Sequence, residues 1–385
     1  MSLAFQLLLP RKVVFGLGKR SELGSLASCL GRRAFLIDGS RTLHDSPFWI
    51  EILEPLRTAG IVVEHIATAS REPTIADVDE TANHVRRLKP HSGDFLIGLG
   101  GGSAMDLAKA VSAMATNTKS PTVRDYLEGV GTGLSLTNPP LPMLAIPTTA
   151  GTGTEATKNA VISVDAPPVK KSLRSEQMVP AAVLIDPELT VPNSPAQTAA
   201  SGMDAITQLL ESFFSRRSQP VTDALCLDGL VKALPAIESA YQNGSDLAAR
   251  SAMSYAAFLS GVALANSGLG MAHGVAAALG AINDVPHGLA CAVMLPVTLK
   301  TNEAVILEKV SLLNRHLEAN GLPGDILGTI SQLSRSLAIP EKLRDLGVQQ
   351  EQLPAIVAGS RGNSMSGNPR DLTDQELTQI LEAAW

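Results

Sequence analysis

The chain has 385 residues, of which 45% are hydrophobic and 18% are charged. This composition is typical of a globular protein and excludes an intrinsically disordered one, and the length favours two domains. The net charge of -6 and the scattered lysines and arginines exclude the electrostatic footprint of a nucleic-acid-binding protein.

The cysteines Cys29, Cys226 and Cys291 lie far apart and outside any CxxC spacing. We interpret them as free thiols in a reducing compartment and assign them no role. The first residues have neither a basic stretch before the apolar run nor a small-residue cleavage site. We therefore expect no signal peptide and a cytoplasmic protein.

The first half of the chain alternates short apolar runs with amphipathic stretches. The runs begin at Ala34, Ile61, Asp94, Met143 and Ala181. This alternation predicts βαβ units and a parallel sheet that is covered on both faces. We expect an α/β, Rossmann-like, dinucleotide-binding domain over residues 1–190, with its ligand beyond the carboxyl ends of the strands.

Two loops in this half are suited to a nucleotide. Gly100-Gly101-Gly102-Ser103 follows the third run and precedes a helical stretch, which predicts a phosphate-binding turn at a helix N-terminus. The motif PTTAGTGTE, residues 147–155, follows the fourth run and offers hydroxyls to ribose and phosphate. A generic tight turn and a Thr-rich turn are the alternatives for each loop alone, but two such loops favour one shared ligand.

Helical periodicity dominates the second half, and we expect an all-helical domain over residues 191–385. Residues 251–283 contain no Asp, Glu, Lys or Arg, a feature that also occurs in membrane spans. Asn266, Ser267 and His273 interrupt this stretch, so we expect buried helices and no membrane association.

A metal site is indicated in the helical half. Asp204 and Gln208 are four residues apart at helical spacing, and His273 and His287 follow, each beside a glycine. An aspartate with two imidazoles suits Fe(II) or Zn(II) with a position left open for an alcohol or carbonyl oxygen. A histidine that is merely satisfied in the core is the alternative at each position.

The motifs GGGS, PTTAGTGTE, GMDAIT, GLGMAHG and PHG occur in this order, and a closing NPR precedes the last helix. In these motifs the chain resembles the iron-containing, group III alcohol dehydrogenases over nearly its whole length. The resemblance implies a dehydroquinate synthase-like architecture and a homodimer. It also implies NAD(P)-dependent hydride transfer between a small alcohol and its aldehyde or ketone at a divalent metal, Fe(II) or Zn(II).

Carried over residue by residue, Asp204, His273 and His287 match three of the family's metal ligands and would be the catalytic residues. Gln208 stands where the family usually has a histidine ligand, and its oxygen would be a weaker donor to Fe(II) or Zn(II). Ala277 stands where many relatives carry a histidine thought to help move the alcohol proton. Water or a cofactor hydroxyl would then move that proton.

For the cofactor, Asp38 follows an apolar run and is placed to accept from a ribose 2′-hydroxyl, which would select NAD. The residue that matches the family's discriminating aspartate is offset to Gly39, with Ser40 and Arg41 nearby for a 2′-phosphate. Both NAD and NADP therefore stay open. The other predicted cofactor contacts are Gly101, Gly102, Ser103, Asp106, Thr148, Thr149, Thr152, Thr157 and Lys171.

Three other functions are alternatives. A dehydroquinate synthase-like lyase would need basic residues near the ligands to bind a polyanionic substrate, and none stands beside them. A metal-free reductase of the maleylacetate reductase type would explain Gln208 as a lost ligand. A non-catalytic nucleotide sensor would keep the fold without the chemistry. We interpret His44, His65, His84 and His91 as ordinary surface or strand-end residues.

Overall fold

The computed structural model describes residues 4–39, 41–166 and 168–385, and within them the chain forms two compact units. The α/β unit comprises Leu8–Thr149 and Thr154–Val191. The helical unit comprises the N-terminal residues through Leu7, the short segment Ala150–Gly153, and Pro192–Trp385. The second glycine- and threonine-rich loop is therefore divided between the two units.

The α/β unit contains eight strands among its described residues: β1 Lys12–Phe15, β2 Arg33–Asp38, β3 Val62–Thr68, β4 Asp94–Gly100, β5 Met143–Pro147, β6 Asn159–Val164, β7 Val169–Arg174 and β8 Ala182–Ile185. Its helices are α1 Leu23–Ser28, α2 Arg41–His44, α3 Pro47–Thr58, α4 Ile75–Arg87 and α5 Gly102–Thr116. Six strands form one parallel sheet in the order β1-β8-β5-β4-β2-β3, and β6 and β7 form a separate antiparallel pair.

The expected parallel sheet is confirmed, and each of the five apolar runs forms a strand of it. All seven residues of β4 are buried, as are those of β5 and β8, which explains why these segments read as continuous apolar runs. The strands β1, β6 and β7 were not predicted from the sequence. β7 is only partly buried and has the sequence VKKSLR, so it lacks an apolar run.

Strand order reverses between β2 and β4, since β3 lies on one side of them and β5 and β8 lie on the other. In doubly wound sheets, ligands bind beyond the carboxyl ends of the strands at such a reversal. Asp38 ends β2 there, and Gly100 ends β4.

The helical unit contains α6 Pro195–Phe214, α7 Pro220–Gln242, α8 Leu247–Ser267, α9 Met271–Asn283, α10 His287–Ala319, α11 Ile326–Ser336, α12 Leu353–Gly359 and α13 Asp374–Ala384. One hydrophobic core runs through these helices. The closing helix α13 has a capped start, because Thr373 and Glu376 form a reciprocal capping box.

The uncharged stretch of the sequence lies in α8 and α9. By length and composition, α8 and α10 could each cross a membrane, but 61% and 56% of their most apolar windows are buried within the protein. Their apolar side chains are therefore largely used in helix packing.

Candidate metal and cofactor sites

One face of α6 carries three polar side chains into the core of the helical unit. Gln208 and Glu211 follow Asp204 by four and seven residues, so all three side chains point in the same direction from the helix. Each is at most 4% exposed. Buried carboxylates and amides require partners, and the partners come from α8, α9, α10 and the segment Ala150–Gly153.

The two predicted histidines converge on Asp204. His273, in the first turn of α9, places Nε2 3.2 Å from Asp204 Oδ1. His287, the first residue of α10, places Nε2 4.0 Å from the same oxygen. The His287 side chain is 32% exposed, whereas the other two are nearly inaccessible, so the cluster opens on the His287 side.

Two glycines close to the histidines in sequence, Gly288 and Gly270, permit this convergence. A Cβ on Gly288 would lie 2.4 Å from the carbonyl oxygen of Ala200, so only glycine lets the start of α10 approach α6. A Cβ on Gly270 would lie 2.8 Å from Glu211 Oε1, at the point where α9 begins. These contacts give a physical reason for the glycines of the PHG and GLGMAHG motifs.

Glu211 holds His273 in one orientation. The Nδ1–H of His273 donates to Glu211 Oε2 at 2.6 Å, and the amide of Ala272 donates to Oε1 at 2.6 Å. This arrangement leaves Nε2 of the imidazole facing Asp204. A carboxylate behind a histidine ligand is a common feature of metal sites, because it fixes the tautomer and raises the basicity of the ligand. Glu211 was not predicted from the sequence, although its spacing on α6 places it on the same helix face as Asp204.

The site strongly favours positive charge. Burial would raise the pKa of Asp204, but the His273 hydrogen bond and both imidazoles outweigh it and hold that pKa below its usual value. Burial would lower the pKa of His287, but Cys291 and Asp204 raise it to about 9. The pKa of His273 is also raised against the effect of burial, by Cys291, Asp204 and Glu211. The negative groups that stabilise these protons would also stabilise a metal cation that replaced them.

The ligand atoms also have the spacing that a metal ion needs. In a tetrahedral site with metal–ligand bonds of about 2.0–2.1 Å, neighbouring N and O ligands lie about 3.4 Å apart. The observed separations of 3.2 Å and 4.0 Å bracket that value. Asp204, His273 and His287 therefore fit a divalent metal.

Gln208 and Cys291 are two further residues to consider as ligands. The Gln208 amide is engaged, since Oε1 accepts from Ser260 Oγ at 2.7 Å and Nε2 donates to the Thr152 carbonyl at 3.2 Å. Ligation by Gln208 stays a prediction. Cys291, to which the sequence analysis assigned no role, belongs to the group of possible ligands with Asp204 and the two histidines. Its signal in the sequence was its position four residues after His287 on a helix.

The first glycine loop lies at the start of α5. Gly101 precedes the helix without a side-chain cap, so the first-turn amides of a 15-residue helix are presented at the end of β4. The predicted contacts Gly102, Ser103 and Asp106 occupy the first turns of this helix. The second loop lies beside it, because the Thr148 amide donates to the Gly100 carbonyl at 3.0 Å. A Cβ on Gly101 would lie 3.2 Å from Thr149 Cγ2.

Asp38 is less free than the sequence indicated. Its Oδ2 lies 2.5 Å from His44 Nε2 and 3.0 Å from His65 Nε2. Its Oδ1 is buried and has no hydrogen-bond partner within the described part of the chain. This cluster was not predicted from the sequence, where both histidines were interpreted as ordinary surface or strand-end residues. Gly39 follows directly, while Ser40 and the Arg41 side chain lie outside the described residues.

Thr157 accepts two hydrogen bonds from Lys109 Nζ, at its carbonyl and at its hydroxyl, both at 2.7 Å. Burial lowers the pKa of Lys109 to about 8 and raises the pKa of Glu155 to about 7.

Lys171 lies on β7 and pairs with Ile162 across the antiparallel pair. The cofactor roles of Thr157 and Lys171 stay predictions.

Comparison with known proteins identifies the family. Residues 10–187 match the family model described as iron-containing alcohol dehydrogenase, and residues 198–385 match the model of the C-terminal part of the same family. The chain belongs to the iron-containing alcohol dehydrogenase family. As a member, it is an oxidoreductase that acts on CH–OH groups with NAD or NADP.

The similarity extends over whole chains. The sequence is 31% identical to an NAD-dependent methanol dehydrogenase of Bacillus methanolicus, over 98% of each protein. It is 30% identical to an NADPH-dependent butanol dehydrogenase of Clostridium saccharobutylicum, over 98% of this chain and 97% of that protein. A solved structure of 1,3-propanediol oxidoreductase matches with a TM-score of 0.89 and 31% identity, over 99% of this chain and 100% of that chain.

Proposed function

We propose that this alcohol dehydrogenase binds one divalent metal through Asp204, His273 and His287 and interconverts a small, uncharged alcohol with its aldehyde or ketone. The observation that carries the proposal is the convergence of one buried carboxylate and two imidazoles, with ligand atoms 3.2 Å and 4.0 Å apart. When bound, the metal would supply Lewis acidity and the nicotinamide would supply or accept the hydride.

The surrounding residues would hold the ligands in fixed positions and exclude water from the site. Asp204 supplies the negative charge, Glu211 fixes the tautomer of His273, and His287 lines the accessible side. The surrounding segments of α8 and α9 carry no charged residue from position 251 to 283, which favours an uncharged substrate. Ala277 offers no imidazole, so the alcohol proton would leave through water or a cofactor hydroxyl.

We further propose that the predicted α/β domain, residues 1–190, binds the dinucleotide and that the helical domain, residues 191–385, binds the metal. The open N-terminus of α5 and the adjacent Thr148 and Thr149 would hold the pyrophosphate and ribose. Asp38 has one buried oxygen left for a ribose hydroxyl. The relatives include both an NAD- and an NADPH-dependent enzyme, so the choice needs measurement. We expect a cytoplasmic homodimer.

The test is steady-state formation of NADH or NADPH from methanol through butanol, with wild type and Asp204→Ala. Wild type should turn over at least one of these alcohols. Asp204→Ala should lose turnover while a fluorescence titration shows nearly unchanged cofactor affinity. Asp325→Ala removes a carboxylate that caps α11 in the same unit and should retain activity. Equal turnover by wild type and Asp204→Ala would remove the metal from the reaction.

A further inference from the structure

We propose that Cys291 Sγ is the fourth protein ligand of the metal site, in place of residue 208, and that this ligand set selects zinc over iron. The proposal rests on the proposed function, because it concerns the same site. Cys291 is fully buried in α10, one turn after His287, and its Sγ lies 3.7 Å from His287 Nε2. The ligand atoms of Asp204, His273, His287 and Cys291 all lie within 4.8 Å of one another.

The side-chain amide of Gln208 already forms hydrogen bonds with Ser260 and Thr152. Gln208 Oε1, its only atom suited to a metal, accepts from the buried hydroxyl of Ser260 at 2.7 Å. Reversing the amide would turn this oxygen toward the Thr152 carbonyl, which now accepts from Nε2 at 3.2 Å. Two acceptors would then face each other. Ligation by Gln208 would therefore compete with the Ser260 hydrogen bond at the same oxygen, whereas the Cys291 sulfur already lies among the ligand atoms of the cluster.

The separation of Cys291 from His287 agrees with joint ligation. With zinc–sulfur bonds of about 2.3 Å, zinc–nitrogen bonds of about 2.05 Å and a tetrahedral angle, the two ligand atoms lie about 3.6 Å apart. The observed distance is 3.7 Å. A helix places residues four positions apart on one face, so His287 and Cys291 can reach one ion without any backbone change.

The ligand chemistry then determines the metal. Asp204 and two imidazoles accept either Fe(II) or Zn(II), but a thiolate favours the softer zinc ion. The alcohol oxygen would then be a fifth ligand, an expansion that catalytic zinc can make. It would approach on the side of His287, whose side chain is 32% exposed while Asp204, His273 and Cys291 are buried. The family's usual fourth histidine on α6 has thus been replaced by a cysteine on α10.

The test uses cobalt as a spectroscopic substitute for zinc. Metal-free protein is titrated with Co(II) alone, and the near-ultraviolet spectrum is recorded for wild type, Cys291→Ser and Cys226→Ser. We expect an intense thiolate-to-cobalt charge-transfer band at one equivalent in wild type and in Cys226→Ser. Cys226 is equally buried but lies on α7, so it controls for the loss of a thiol. The band should be absent in Cys291→Ser.

Zinc affinity, measured by competition with a chromogenic chelator, should fall about a hundredfold or more in Cys291→Ser, since losing a ligand costs at least as much as losing its orienting partner. Gln208→Ala should still bind one zinc per chain. If wild type binds one Co(II) and oxidises alcohols but shows no thiolate band, the proposal is overturned while the proposed function stands. If neither metal binding nor alcohol oxidation is found, both fail. The wild-type spectrum decides the question even if Cys291→Ser does not fold.

Discussion

Glu211→Gln should weaken metal binding without removing any ligand. The substitution keeps the shape of the side chain but replaces one carboxylate oxygen with an amide group that cannot accept. Either the Nδ1–H of His273 or the amide of Ala272, each now 2.6 Å from a carboxylate oxygen, then loses its acceptor. A hydrogen bond to a buried charged group contributes about 1.5–3 kcal/mol.

At about 1.4 kcal/mol per tenfold change in an equilibrium constant, this loss corresponds to roughly one to two decades of metal affinity. That range agrees with the 10- to 100-fold effect, in order of magnitude, of removing a partner that orients a ligand. The assay is competition between metal-free protein and a chromogenic zinc chelator, followed by kcat/KM at limiting and at saturating zinc. Saturating zinc should restore most of the activity.

The matched control is Glu303→Gln, on the exposed face of α10. Its zinc affinity should equal that of wild type. Zinc affinity of Glu211→Gln within about twofold of wild type would show that Glu211 does not orient His273 for the metal, because a carboxylate that orients a ligand contributes about a tenfold change in affinity or more.

Two further predictions concern stability. Burial raises the pKa of Glu155 from 4.5 to about 7, so its stabilising contribution is present below about pH 4.5 and is lost as the pH rises through 7. Between about pH 4.5 and 7, the unfolding free energy of wild type should therefore fall by up to about 3 kcal/mol relative to that of Glu155→Gln, which does not titrate at this position. Urea unfolding at several pH values measures this difference. Gly261→Ala should lower the unfolding free energy by about 1–3 kcal/mol, because its Cβ would lie 2.1 Å from the Gly153 carbonyl oxygen. Thermal unfolding checks this against Gly362→Ala, where no atom lies within 4 Å; equal midpoints for the two variants would contradict it.

The central sheet and the polar face of α6 were predictable because local sequence signals coincide with tertiary roles. Strands that are buried on both faces read as apolar runs, and β4 is buried throughout. The spacing of Asp204 and Gln208 indicated one helix face, and α6 carries both on it. The strands β6 and β7 were missed because a partly buried antiparallel pair carries charges and hydroxyls where an apolar run would otherwise be seen.

The supporting residues of the sites were harder to predict. Glu211 and Cys291 lie at helical spacing from predicted ligands, but a lone glutamate or cysteine usually has no special role. Only the convergence of α6, α9 and α10 gives these two residues their partners. The cluster of Asp38 with His44 and His65 joins three segments of the chain. Such long-range proximity has no signature in the order of residues.

The most direct test of the metal site is the metal content per chain of protein purified without chelators or a histidine tag, measured by plasma mass spectrometry for wild type and Asp204→Ala. The expected result is about one metal ion per wild-type chain, zinc if Cys291 is a ligand, and almost none in the variant, because the Asp204 carboxylate and the Cys291 thiolate are the anionic members of the ligand set. Wild-type protein that held no metal, even after zinc or iron was added back, yet still oxidised alcohols would contradict it.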